Sequence, residues 1–242
     1  MDDFESRNRQ RIRAMSEDCD LRDATRRWFT HSSRFEYSYH FKWLGLPIIQ
    51  YPQDIVAMQE LIWQVRPDLI IESGIARGGS LVFYASMLEL LGGDGRVVGI
   101  DIDIRAHNRA AIERHAMARR IDMIQGSSVS DEVAEQVRRM TVGRERVMVV
   151  LDSNHTHDHV LRELELYSPL VRPGGYVVVF DTVIEDMPAG SFPDRPWGKG
   201  DNPATAVRAF LDKNDRFEVD HSVDDKLLIS AAPRGYLRCV KA

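Results

Sequence analysis

A chain of 242 residues with 43% hydrophobic content can bury one α/β core with an appendage, or a domain and a half. Its net charge of −5 carries no long single-sign block, so neither nucleic acid nor an anionic membrane is a favoured partner. Cys19 and Cys239 lie at opposite ends without metal-ligand spacing, the first residues hold no apolar signal core, and no window approaches the roughly 20 apolar residues of a membrane helix, so a cytoplasmic protein is expected.

Residues 1–35 are rich in Arg, Asp and Glu with scattered apolar positions, a pattern of one or two amphipathic helices. Residues 35–52 turn aromatic and end in a proline, which suits an extended segment over a groove, or packing on a sheet edge or a second subunit. Residues 1–52 thus read as an extension, a cap or an oligomer contact, and 53–242 as the main domain. From Gln53 the pattern is regular. A helix over 53–65 stops before Pro67. Short apolar runs then follow at Leu69–Ile71, Val97–Ile100, Ile121–Ile124, Val147–Leu151 and Tyr176–Phe180, separated by helical stretches near 80–92, 106–118, 130–140 and 157–170, with a further one at 203–213. Continuous short runs between helices indicate parallel strands buried on both faces, hence a doubly wound α/β sheet. Three strand-like runs at Arg216–Asp220, Lys226–Ala231 and Tyr236–Val240, with no helix between them, predict an antiparallel C-terminal edge. The proline- and glycine-rich stretch 182–202 is no regular element and reads as a lid.

The first strand runs into Glu72-Ser73-Gly74-Ile75-Ala76-Arg77-Gly78-Gly79-Ser80. Glycines there let the backbone approach a ligand, and the helix start offers free N–H groups. The pattern alone also fits a dinucleotide fingerprint. Glu72 separates the readings: a carboxylate at the strand end repels a pyrophosphate but attracts the ammonium and sulfonium charges of S-adenosylmethionine. The stretch resembles the E/D-x-G-x-G-x-G motif of class I methyltransferases with Ala76 at the middle glycine, making Glu72, Gly74, Arg77, Gly79 and Ser80 cofactor-binding candidates. Asp101, ending the second strand, suits a ribose diol in either cofactor class. Ser127 and Ser128, after the third, could bracket an adenine or simply make a turn.

Strand four ends in Asp152-Ser153-Asn154-His155-Thr156-His157-Asp158-His159, and strand five in Asp181. Asp152 and Asp181 on neighbouring strand ends suit a divalent cation with oxygen ligands, Mg²⁺ above all, that would grip a substrate hydroxyl. Asp152 also borders the donor side. A histidine could take the proton. His155, in the loop, is the first choice and His157 the second, while His159 reads as part of the following helix. The HxH spacing lacks a third ligand for zinc.

From about Tyr39 to the end the chain resembles the cephalosporin hydroxylase and rhamnosyl O-methyltransferase family, through ESGIARGGS at Glu72–Ser80, GIDIDIR at Gly99–Arg105, LDSNHTHDHVLRELELYSPLV at Leu151–Val171 and PRGYLRCV near the end. The resemblance implies a Rossmann-like methyltransferase sheet, S-adenosylmethionine, Mg²⁺ held after strands four and five by Asp152 and Asp181, a general base at His155, and a homo-oligomer. Where the family shows a Glu-Asp pair, this chain has Phe180-Asp181. The expected activity is methyl transfer to a hydroxyl, or second to an amine, of a sugar or specialised small molecule, with 182–202 and Trp43 closing over it. The rivals are a nicotinamide oxidoreductase on the same sheet and a non-catalytic cofactor-binding partner in a biosynthetic oxidation.

Overall fold

In the computed structural model, which describes residues 3–242, two charged helices come first, α1 (Asp3–Glu17) and α2 (Cys19–Ser33). Asp18 starts α2 by accepting the Leu21 N–H at 2.9 Å, which satisfies one of the orphan donors of the first turn. α1 buries no residue, whereas α2 buries Phe29. Next come a 3₁₀ turn (Tyr37–His40) and a two-residue antiparallel hairpin of β1 (Lys42–Trp43) and β2 (Leu46–Pro47). The aromatic residues of this region pack on one another, with Tyr51 stacked on Phe29 at 4.8 Å and Tyr37 edge-on to Trp28 and Phe41.

The α/β alternation follows as α3 (Pro52–Val65), β3 (Leu69–Ser73), α4 (Gly79–Leu91), β4 (Arg96–Asp101), α5 (Ala106–Glu113), β5 (Ile121–Gln125), α6 (Asp131–Met140), β6 (Val147–Leu151), α7 (His157–Tyr167), β7 (Tyr176–Val179) and α8 (Pro203–Leu211). β8 (Phe217–Val219), the one-turn α9 (His221–Asp224) and β9 (Tyr236–Cys239) complete it. The sheet order is β5-β4-β3-β6-β7-β9-β8, parallel from β5 to β7 and antiparallel at the β9 and β8 edge. Every residue of β3 and β6 is buried, which is why these strands read as unbroken apolar runs. The strand order reverses between β3 and β6, so their carboxyl ends open the crevice in which such sheets bind ligands.

Two expectations change at the C-terminal edge. Lys226–Ala231 is not a strand, and α9 stands between β8 and that stretch. The cause is Asp54 on α3, a fully buried carboxylate that accepts from Ser230 Oγ at 2.6 Å, Ala231 N at 2.7 Å and Tyr236 Oη at 2.8 Å. These bonds pull the 230–231 backbone off the sheet and onto α3. The helix expected over 106–118 also ends at Glu113, where the His115 ring accepts the Met117 N–H at 3.1 Å and breaks the helical pattern.

Desolvation pushes the pKa of Asp54 up to about 6, yet the carboxylate satisfies three donors that burial would otherwise orphan. Asp54→Ala is expected to lower unfolding free energy at neutral pH by about 2–4 kcal/mol, read from denaturant midpoints, with the fold kept.

Candidate active site

Alternation along β3 sends Leu69 and Ile71 to one face and Ile70 and Glu72 to the other, beneath α4. Glu72 has no exposed surface. Its Oε2 accepts from Ser80 Oγ at 2.7 Å, while Oε1 has no hydrogen bond. Tyr84, one turn beyond Ser80 on α4, and Gln50 border the same spot, with the Tyr84 hydroxyl near both Glu72 and Gln50 but no well-formed hydrogen bond on their buried polar atoms. Desolvation first, and the Asp101 charge last, raise Glu72 to about 8, against the pull of the Ser80 and Tyr84 hydroxyls. A buried acid with an unused oxygen is what an ammonium group would complete, so the residues present fit the expected cofactor.

The glycine loop is shaped by packing as much as by any ligand. A Cβ on Gly74 (φ +93°) would lie 2.0 Å from the Asp152 carbonyl oxygen, and one on Gly79 would lie 2.1 Å from that of Pro47. The chain at Pro47 and Ile48 therefore lies directly on the loop, and the 35–52 stretch expected as extended is instead a 3₁₀ turn followed by a hairpin. Ala76 takes φ +45°, the left-handed region its motif position calls for, and Asn108 Nδ2 clamps its carbonyl at 2.7 Å. Asp101 stands beside the loop, but its Oδ2 accepts from Ile75 N at 2.9 Å and Ala76 N at 3.3 Å, and its Oδ1 from Asp103 N at 3.0 Å. Arg77 is exposed on the rim. Ser127 is half-buried at the end of β5, whereas Ser128 turns inward, its Oγ 3.1 Å from His159 Nε2.

Across the crevice, ligand atoms of Asp152, His155 and Asp181 lie within 4.8 Å of one another. His155 Nε2 is 3.1 Å from Asp181 Oδ2, and Asp181 holds a left-handed backbone (φ 57°) to present its carboxylate there. Desolvation and then the Asp181 charge push Asp152 well above the usual carboxylate value. Two carboxylates suit a hydrated Mg²⁺, and His155 lies at ligand distance as well.

The three histidines divide their work. His157 is spent on the base of the 182–202 loop, its N–H on Asp201 at 2.7 Å and its Nδ1 2.8 Å from Thr205 Oγ1. His159 belongs to an interior network with Ser128, Ser153 and the fully buried Glu163. Only His155 faces the cleft beside the carboxylates.

The 182–202 loop begins with a 3₁₀ turn (Thr182–Asp186), is clasped by Glu185 bonds to Gly200 and Asn202, and lays Trp197 edge-on to His155 at 4.7 Å. Trp197, Gln50 and Tyr84 were not singled out by the sequence, since an isolated loop tryptophan or a glutamine before a helix carries no motif. Trp43, expected over the substrate, instead packs on Phe83 and donates to Ser86 Oγ at 3.0 Å, bracing β1 against α4. Phe180 follows the β7 alternation of Tyr176 and Val178 onto the face of Asp152, beside it across the ladder, and is buried in the core.

The family model described as rhamnosyl O-methyltransferase/CmcI matches residues 35–240. The rhamnosyl O-methyltransferase of Mycobacterium tuberculosis is 30% identical over 199 residues, 81% of this chain and 76% of the relative. A solved structure of CmcI with Mg and SAM matches at a TM-score of 0.59 and 22% identity, over 84% of this chain and 77% of that one. An O-methyltransferase from Bacillus cereus in complex with SAH matches at a TM-score of 0.52 and 17% identity, over 93% and 92%. At these identities the two structures establish the shared sheet.

Because the folded value of Glu72, about 8, lies above its unfolded value near 4.5, its protonated form favours the fold. That contribution is complete below the unfolded value and is lost as pH rises through 8. Glu72→Gln should therefore flatten the decline in thermal midpoint between pH 5 and 8. An unchanged slope would mean that Glu72 is already ionised in the ligand-free fold.

Proposed function

The chain belongs to the rhamnosyl O-methyltransferase/CmcI family and is an S-adenosylmethionine-dependent O-methyltransferase; on that premise we propose that it methylates a hydroxyl of a sugar or sugar-bearing specialised metabolite, prepared at Asp152, His155 and Asp181. The observation carrying this reading is the meeting of that cluster with the incompletely paired Glu72 at the carboxyl ends of β3 and β6.

In this reading Glu72 and Ser80 take the donor's ammonium end. Asp101 offers the ribose its remaining lone pairs, and Ser127 lies towards the adenine. The acceptor oxygen attacks the methyl carbon in line as the carbon–sulfur bond breaks, giving a methyl ether and S-adenosylhomocysteine. His155 takes the hydroxyl proton, and Asp181 beside it stabilises the imidazolium. A divalent cation on Asp152 and Asp181 would supply a lowered hydroxyl pKa. Trp197 covers His155 and carries the Arg195 guanidinium 5.3 Å over its ring, giving the acceptor an apolar wall with a cationic rim. A nicotinamide cofactor is disfavoured because the family match and the curated relative are O-methyltransferases. A purely accessory role is disfavoured because the acid–base cluster is assembled despite Phe180.

The test is S-adenosylhomocysteine formation by purified protein over rhamnosyl, other glycosyl and non-sugar hydroxyl acceptors, with Mg²⁺ or with chelator. His155→Ala is expected to lower kcat by about 10²–10⁴-fold while calorimetry finds S-adenosylhomocysteine affinity unchanged. Unaltered turnover, or lost cofactor binding, would remove His155 from the role of base.

A further inference from the structure

We propose that Gln50, carried in by the N-terminal segment, grips the amino-acid end of the methyl donor, so that the chain before α3 forms part of the donor site. The inference rests on the donor assignment above and adds to it a residue and a function for the segment. Gln50 is 3% exposed, and neither atom of its carboxamide makes a well-formed hydrogen bond, the Tyr84 hydroxyl being the polar group beside it. Among the described residues, four of the seven buried side-chain polar atoms without a hydrogen bond belong to Gln50, Glu72 and Tyr84, which adjoin one another. Buried polar groups are rarely left unpaired, because each forfeits its bonds to water with no return. Such atoms concentrated at one place mark a missing polar ligand.

The position of Gln50 points the same way. It lines one cleft with Pro47, Ile49, Gly74, Ser80 and Asp152. The segment that carries it is pinned on the glycine loop, where Gly79 leaves no room for a side chain against the Pro47 carbonyl. Its neighbours Ile48 and Tyr51 are core residues, so packing alone would be served by an apolar side chain at 50. A carboxamide both donates and accepts, which matches a zwitterion. Its N–H₂ suits the donor's carboxylate, while Glu72 and the amide oxygen take the ammonium. Beside the neutral carboxamide, the cleft lining offers the carboxylate one cationic side chain, Arg77, which is exposed on the rim.

The experiment compares two probes by calorimetry: S-adenosylhomocysteine, which carries the amino-acid group, and 5′-methylthioadenosine, which lacks it. Gln50→Met keeps the volume and removes the polar atoms. It should weaken S-adenosylhomocysteine by about tenfold or more, as loss of a hydrogen bond to a charged group implies. Binding of 5′-methylthioadenosine should stay at the wild-type value, and the ligand-free thermal midpoint should hold or rise. Gln50→Glu, which faces the ligand carboxylate with a like charge, should weaken S-adenosylhomocysteine further and again spare 5′-methylthioadenosine. Equal losses for both probes, or no loss for either, would overturn the role of Gln50 while leaving the donor assignment intact. A wild-type protein that binds neither probe would overturn that assignment and the Gln50 role with it.

Discussion

A carboxylate without exposed surface at the carboxyl end of the central strand is the constraint to which the rest of the site answers. Glu72 lies on β3, between β4 and β6, beneath α4. Water cannot reach it, and its one well-formed hydrogen bond comes from Ser80. An ionised acid so placed is costly without a counter-charge, which is why its proton affinity rises. The fold tolerates this because β3 has many other means of support. All five of its residues pair with both neighbours, and its apolar side chains enter the cores on both faces. A strained group persists where its surroundings over-determine it.

The same electrostatics extend across the crevice. The charge of Asp101 adds to the shift of Glu72, and the charges of Asp181 and Glu72 add to that of Asp152. Acids at the ends of four adjacent strands, β4, β3, β6 and β7, thus form one region of negative potential in a partly desolvated cleft. Such a region favours cationic ligands in general. The sulfonium and ammonium of a methyl donor, or a divalent cation, would each relieve it.

Much of this was legible in the sequence because it follows from periodicity and from strand ends. Short apolar runs between helices gave five parallel strands to within a residue or two, and acids at strand ends gave Glu72, Asp101, Asp152 and Asp181 their places. The illegible parts depend on tertiary partners distant along the chain. Lys226–Ala231 has the composition of a strand, but Asp54, far upstream, claims its backbone. Gly79 looks like a ligand-contact glycine, yet what fills the space above it is the Pro47 carbonyl. Gln50 and Trp197 belong to irregular segments whose patterns say nothing about where they land. His155 and His157 lie two residues apart, and their roles part through Asp181 beside His155 and through Asp201 and Thr205, brought back to His157 by the 182–202 excursion.

Phe180 shows how strand alternation constrains what a site can lose. Its place on β7 points it to the face shared by Asp152 and Glu72, so a carboxylate there would stand beside Asp152. Phenylalanine instead joins the core beneath the N-terminal segment. Asp181, the next residue, escapes that alternation by turning left-handed, and so remains with His155 at the cleft. A hydrated Mg²⁺ needs only one or two protein carboxylates, so the exchange changes how many water or acceptor oxygens would complete the shell, while the acid pair stays. The contact of His155 with Asp181 does not involve position 180 at all. Phe180 thus bears on how a cation would be held beside Asp152, while the contact of His155 with Asp181 is independent of it.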